Sequence, residues 1–186
     1  MMNVGAEIEP EFSRLFDLKE LEETPRIIDL NANEEECALL AHRFDQQSVG
    51  CLSANLVLVW LEAEAVLSIS GRFQAEILQT CVISLEPVSA ELDEEINLVF
   101  ARDVEKSADI VDLEDAEPLD GEMVDLGELV AEEFSLALEP YPRRPDIDRG
   151  SIDLGPGASL IGEEEARKGT ESHNPFEVLV ALKPKP

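Results

Sequence analysis

Apolar positions recur along this chain with two different periods, and the switch between them marks its elements. After an N-terminal segment carrying Phe12, Leu15, Phe16 and Leu18, the residues Cys37, Leu40, Ala41 and Phe44 repeat at helical spacing, one face of which would be buried. Asn33 stands before them as a cap for the orphan amides, and Glu34, Glu35 and Glu36 sit where the positive end of a helix favours acids. A first helix is therefore expected up to about Phe44. From Val49 to Leu85 the period shortens to two. Leu56, Leu58 and Trp60 alternate with Val57, Val59 and Leu61, so this stretch is apolar on both faces and reads as a central strand. Residues 65–70 alternate, Gly71 offers a bend or bulge, and Phe73, Ala75 and Ile77 share one face. Ile96, Leu98 and Phe100 repeat the period. Three or four strands with short links imply an antiparallel sheet built from hairpins.

Asp125 opens a second helix in a pattern like a capping box, with Glu128 three residues later. Leu126, Leu129, Val130, Phe134 and Ala137 form its apolar stripe, and Pro140 and Pro142 end it. A last short helix or turn begins at Asn174, with Pro175 at its first helical position and Phe176 behind it. The expected fold class is α+β: a single domain over 1–186, its antiparallel sheet packed by helices. Two flexible segments are expected within it. Over 103–122 the acids face a single base, Lys106, and over 146–172 the chain is rich in glycine and charge.

Charge changes the picture next. The 186 residues hold 42 Asp and Glu against 14 Lys and Arg, a formal net charge of −28, while 44% hydrophobic content still suffices for a core. Such a molecule cannot gain free energy by broadly neutralising phosphates, which disfavours stand-alone nucleic-acid binding. No apolar run approaches the ~20 residues that cross a bilayer. Met1 to Pro10 lacks the basic start and apolar core of a signal peptide, so a soluble cytoplasmic protein with no membrane association is expected. Cys37, Cys51 and Cys81 are scattered through apolar surroundings and read as buried, inert thiols in a reducing compartment.

Candidate chemistry is sparse. There is no G-x-S-x-G elbow, and His42 and His173 are the only imidazoles; His42 reads as a surface or boundary residue of the first helix. There is no C-x-x-C, and five residues separate Cys37 from His42 where four would align them on a helix. Asp146-x-Asp148 opens like a calcium loop, but Gly150, Ser151 and Gly157 stand where a ligand, the glycine and the closing glutamate belong. Gly155, Gly157 and Gly162 miss the phosphate-cradling spacing. Arg143 and Arg144, with Arg149, are interleaved with Asp146 and Asp148 and read as a salt-bridged turn, with a contact to RNA phosphate or an acidic partner as the sharper alternative.

The order of motifs resembles a known family. Glu11-Phe12-Ser13-Arg14 comes near the start, then ANEEECALLAHRF from Ala32 to Phe44. LQTCVISLEPV from Leu78 to Val88 follows, then DLGELVAEEFSLALEPYPRR from Asp125 to Arg144, and NPFEVLVALK from Asn174 to Lys183. This arrangement is similar to the YceD family, the large ribosomal RNA subunit accumulation proteins, in its alphaproteobacterial form. The most specific pieces are the Asp125 to Arg144 block and the NPF segment. Many members carry C-x-x-C where this chain has Leu78-Gln79-Thr80-Cys81, so only the second cysteine is kept and no zinc role is carried over.

The resemblance implies a non-catalytic factor, without cofactor, in the synthesis, processing or stability of 23S rRNA and in large-subunit assembly. Members are often encoded beside a large-subunit ribosomal protein. The expected partners are large-subunit assembly components, a basic ribosomal protein or an rRNA-processing factor, with rRNA associated indirectly through that partner. By motif membership the candidate interaction residues are Cys81 and Glu86 in the strand segment and Asp125, Glu128, Glu132 and Glu133 on the second helix. Tyr141, Arg143 and Arg144 after it, and Asn174, Pro175 and Phe176, complete the set. The rival reading is an acidic hydrolase or nuclease dependent on a divalent metal, because carboxylates, carbonyls and water suit Mg or Mn.

Overall fold

Three long strands carry the fold, and they follow one another directly in the chain: β3 (Ser48–Leu61), β4 (Val66–Thr80) and β5 (Pro87–Ala101). In this computed structural model, residues 10–22, 24–61, 66–102 and 116–145 are described. The chain divides into two units, Met1–Arg144 and Pro145–Pro186, and the first contains every strand and helix described. Around the long strands stand β1 (Leu15–Asp17), β2 (Arg26–Asn31), α1 (Glu34–Arg43), β6 (Ala116–Pro118), β7 (Met123–Asp125) and α2 (Leu126–Ala137). The five-stranded sheet has the order β2-β3-β4-β5-β6, and β1 with β7 makes a separate pair.

The α+β class and the hairpin sheet stand as read from the pattern, and β3 is a central strand, flanked by β2 and β4. Its two faces are not equally dry, however: Leu56 and Leu58 are fully buried, whereas Val57 and Val59 are half-buried and Leu61 is exposed. Pairing is antiparallel throughout except between β5 and β6, which is parallel. Gly71 makes neither bend in register nor bulge. The ladder runs through it unshifted, Leu56 facing Gly71 and Gly71 facing Ile96, and its lack of a side chain serves close approach instead: a Cβ there would lie 2.1 Å from the Asn55 carbonyl oxygen. The register shift falls between Val49 and Cys51, where one extra residue lets both Val49 and Leu52 turn inward.

β1, β2, β6, β7 and the first half of β5 escaped the pattern. β2 was hidden by its polar alternates Asp29 and Asn31, although Ile28 and Leu30 point to the core side. The first half of β5 was hidden by Glu91, Asp93, Glu94 and Glu95, yet every residue of it is paired with β4. Within the acidic segment, 116–118 form β6 and Leu119 is buried. Residues 103–115, the Gly-rich stretch 146–172 and the expected element at Asn174, Pro175 and Phe176 lie outside the described residues.

Both helices pack on one face of the sheet. Cys37, Leu40 and Ala41 of α1 and Leu126, Val130, Ala131 and Phe134 of α2 join Leu52, Leu56, Leu58, Ile69, Phe73, Ile77, Ile96 and Phe100 in a single core. Each fully buried large side chain contributes about 1.5–3 kcal/mol, which makes this layer the main source of stability. The opposite face carries the alternate residues, among them Asp29, Asn55, Arg72, Gln74, Glu76, Glu91, Asp93 and Glu95, all of which are exposed. The fold thus has one dry face and one wet, acidic face.

Candidate functional site

Among the described residues, those singled out from the sequence fall mainly into two clusters at opposite ends of α2, with Glu132 and Glu133 between them. At its N-terminal end Asp125 caps the helix, accepting the amides of Gly127 and Glu128 at 3.1 and 3.2 Å. The same carboxylate reaches back across the chain: it accepts the Arg14 amide at 2.6 Å and the Ser13 hydroxyl at 2.5 Å, while Leu126 donates its amide to the Arg14 carbonyl at 3.0 Å. Gly127 is small because the backbone of Phe12 passes over it, and a Cβ would sit 2.4 Å from the Phe12 carbonyl oxygen. Arg14 is held in turn by Glu36 of α1 through a two-pronged ion pair at 2.7 and 2.9 Å. That hydrogen-bonded pair holds the Glu36 carboxyl below the usual range. Glu36 also completes a capping box with Asn33.

The capping box expected at α2 is only half made. Glu128 turns instead to Arg43 of α1, at 2.6 and 2.9 Å, and Arg43 also reaches Glu11 at 2.9 Å. Asp125 and Glu128 therefore hold the two helices and the N-terminal segment together. Glu132 is exposed and Glu133 is half-buried. Burial, with Glu117 and Glu132 nearby, pushes the Glu133 carboxyl above its usual range.

The second cluster lies beyond the other end of α2, about 18 Å away for a helix of this length. Cys81 and Glu86 are not in a strand, as the sequence suggested; they bracket the turn between β4 and β5. Against that turn runs the chain that leaves α2: Val82 donates its amide to the Pro142 carbonyl at 2.9 Å, Gln79 donates to the Glu139 carbonyl at 3.2 Å, and Arg144 is ion-paired with Glu86. Arg144 thus binds an acid 58 residues away in the chain; Asp146 and Asp148, expected to pair with the basic cluster locally, lie with Arg149 outside the described residues. Arg143 and Tyr141 are exposed.

Cys81 is fully buried, as expected, but its thiol is not an ordinary one. Burial pushes it up, yet hydrogen bonds from the Ser84 side chain and the amides of Ser84, Arg144 and Ile83 outweigh that and bring it down to about 7. Cys37 is buried with its thiol pushed up, as expected of a structural cysteine. Cys51, expected to be buried, is exposed on the wet face. His42 is exposed, in agreement with a surface position.

Beside this turn is a groove of about 490 Å³, lined by Phe44, Gln46, Gln79, Thr80, Leu138 and Pro142 among others. Its walls offer amides, hydroxyls and apolar patches. Among the described residues no three His, Cys, Asp or Glu side chains converge as metal ligands would, so the geometry gives the metal-dependent hydrolase no support. No helix among them is long and apolar enough to cross a membrane.

The wet face is not legible in the sequence, because its acids read as solvated positions, and the Cys81-Val82-Ile83-Ser84 turn is masked by the apolar Val82 and Ile83, which read as strand. The turn could have been found from the three-residue spacing of a thiol and a hydroxyl ahead of Pro87. Comparison with protein families matches residues 69–183, more than half of the chain, to the family described as "Large ribosomal RNA subunit accumulation protein YceD". Comparisons with curated proteins and with solved structures give no match.

Proposed function

The chain belongs to the YceD family, and on that premise we propose that it is a non-catalytic factor in the accumulation of 23S rRNA and the assembly of the large ribosomal subunit. The match over residues 69–183 carries this reading. It includes both the turn at Cys81 and the whole of α2 with the chain that follows it. The acid excess argues for the route: at −28 the protein is repelled by RNA phosphates and drawn to cations, so its contact with rRNA runs through a basic ribosomal protein or processing factor. Electrostatic attraction of this kind speeds encounter and weakens as salt screens it.

Depletion of the protein in cells, followed by measurement of the 23S to 16S rRNA ratio and of subunit profiles on a sucrose gradient, tests the reading. A selective fall in 23S rRNA with fewer large subunits is the expected result. An unchanged ratio with normal large subunits would end it. The indirect route is tested separately: tight binding of the purified protein to naked rRNA, with a steep salt dependence and no protein partner, would replace it with direct binding.

A further inference from the structure

We propose that the outer edge of β5 is a docking site for an extended basic segment of a partner protein, which adds to the sheet as a further strand. The inference deepens the reading above and rests on it for the class of partner.

The geometry of the edge follows from two hydrogen bonds. Leu119 donates its amide to the Ala101 carbonyl at 2.8 Å, on the β6 side, and Cys81 donates to the Glu86 carbonyl at 2.9 Å, on the β4 side. Backbone groups alternate sides along a strand, and the register from Thr80 facing Pro87 to Val66 facing Ala101 has no shift. The N–H and C=O groups of Ser89, Glu91, Asp93, Glu95 and Asn97 therefore point away from β4. β6 pairs only with Val99, Phe100 and Ala101, so among the described residues this edge is unpaired over 89–97, a span of about 30 Å. Pro87, which has no N–H to offer, falls on the same side, where its loss leaves the ladder intact.

Side chains decide what can sit there. Glu91, Asp93 and Glu95 alternate along the edge on the wet face. Arg72 bridges Asp93 and Glu95 at 2.9 and 3.1 Å, but Glu91 stands directly opposite Glu76, a like-charge pair that a cation would relieve. A second copy of this edge would bring acids against acids, which excludes self-pairing as the occupant. An extended segment with Lys or Arg at every second residue fits: its cations meet the three acids, and its intervening side chains lie beside the half-buried Ala90 and Leu92.

The test uses the full chain and a ten-residue peptide of alternating lysine and threonine. Saturable binding at low salt is expected, with at least a tenfold loss for the same peptide N-methylated through its centre, which keeps the charge but cannot join a ladder. The variant Ser89→Pro/Asn97→Pro changes no charge and removes only edge-facing amides, and it too should bind at least tenfold more weakly. Equal binding within twofold in either arm, or no saturation with the parent peptide, overturns the proposal. Should that variant fail to fold, the methylated peptide on the unaltered protein decides. In depleted cells the variant should fail to restore 23S rRNA. Full restoration by it would overturn the edge as the working surface while the family role stands; no fall in 23S rRNA on depletion would remove the family role, and the peptide arms would still decide the edge.

Discussion

The Cys81 sulfur accepts the backbone amide of Ser84 at 3.5 Å, inside a turn that buries it completely. Together with the other donors this lowers the thiol from an ordinary 9.0 to about 7. A depressed acid makes the unfolded chain bind more protons between those values, so stability rises with pH from about 7 to 9 and the contribution is lost as pH falls through 7. Cys37, whose thiol is pushed up, acts only above that window. Urea melts at pH 7 and pH 9 should show a gain for the wild-type protein that Cys81→Ala lacks; parallel profiles would reject the thiolate.

Asp125 carries a larger structural share. Removing its carboxylate in Asp125→Ala takes away a helix cap, worth about 1 kcal/mol, and strands the part-buried Arg14 amide and Ser13 hydroxyl, about 1–3 kcal/mol more. A loss of about 3 kcal/mol in denaturant unfolding is expected, with Asp125→Asn losing less than half of that. Equal losses in the two variants would show that charge, rather than the acceptor oxygen, is what matters.

Gly127→Ala reverses the usual rule. Alanine favours a helix over glycine by about 1 kcal/mol, yet here its methyl group would press on the Phe12 carbonyl at 2.4 Å. The expected outcome is destabilisation by about 2 kcal/mol, with the same sign for Gly71→Ala, where the contact is with the Asn55 carbonyl. Thermal melts would check both, and a stabilised Gly127→Ala protein would mean that the N-terminal segment is not seated on α2.

Glu133→Gln should stabilise. Burial and the acids Glu117 and Glu132 raise the folded-state carboxyl, so the native state is weakened as pH climbs through that raised value and the group ionises. The variant should gain about 0.5 kcal/mol at pH 7, and the gain should vanish below the ordinary value of 4.5. A gain that persists in acid would have another cause.

Periodicity was readable wherever one face is buried and the other is not. Cys37, Leu40 and Ala41 announced α1, Leu126, Val130 and Phe134 announced α2, and the alternation around Leu56 and Phe73 announced the sheet. It failed where the inward face of a strand is only partly covered, as at Glu91 to Glu95 with Leu92 half-buried and Glu94 exposed, since pairing with β4 is a long-range event that leaves no local trace. The roles of Asp125 and Gly127 were half legible: a cap is a local feature, but the passage of Phe12 and Arg14 over the helix is not. Family resemblance marked the residues from Asp125 to Arg144 as one block, whereas in space they serve two separate places. The lowered thiol of Cys81 depends on the Ser84 side chain and on amides from Ser84, distant Arg144 and Ile83, a convergence no spacing could reveal.

The bond between Arg14 and Asp125 joins residues 111 apart. At about 5–20 residues per second of synthesis, some 6–20 s pass between the making of one and the other. By the last part of that interval β2 to β5 are complete, each able to zip onto its neighbour, while the apolar face they share has α1 but not α2 to cover it. A chain stalled short of Asp125 is therefore an open sheet with Phe12 still unseated, and the arrival of one short helix late in translation is what closes it.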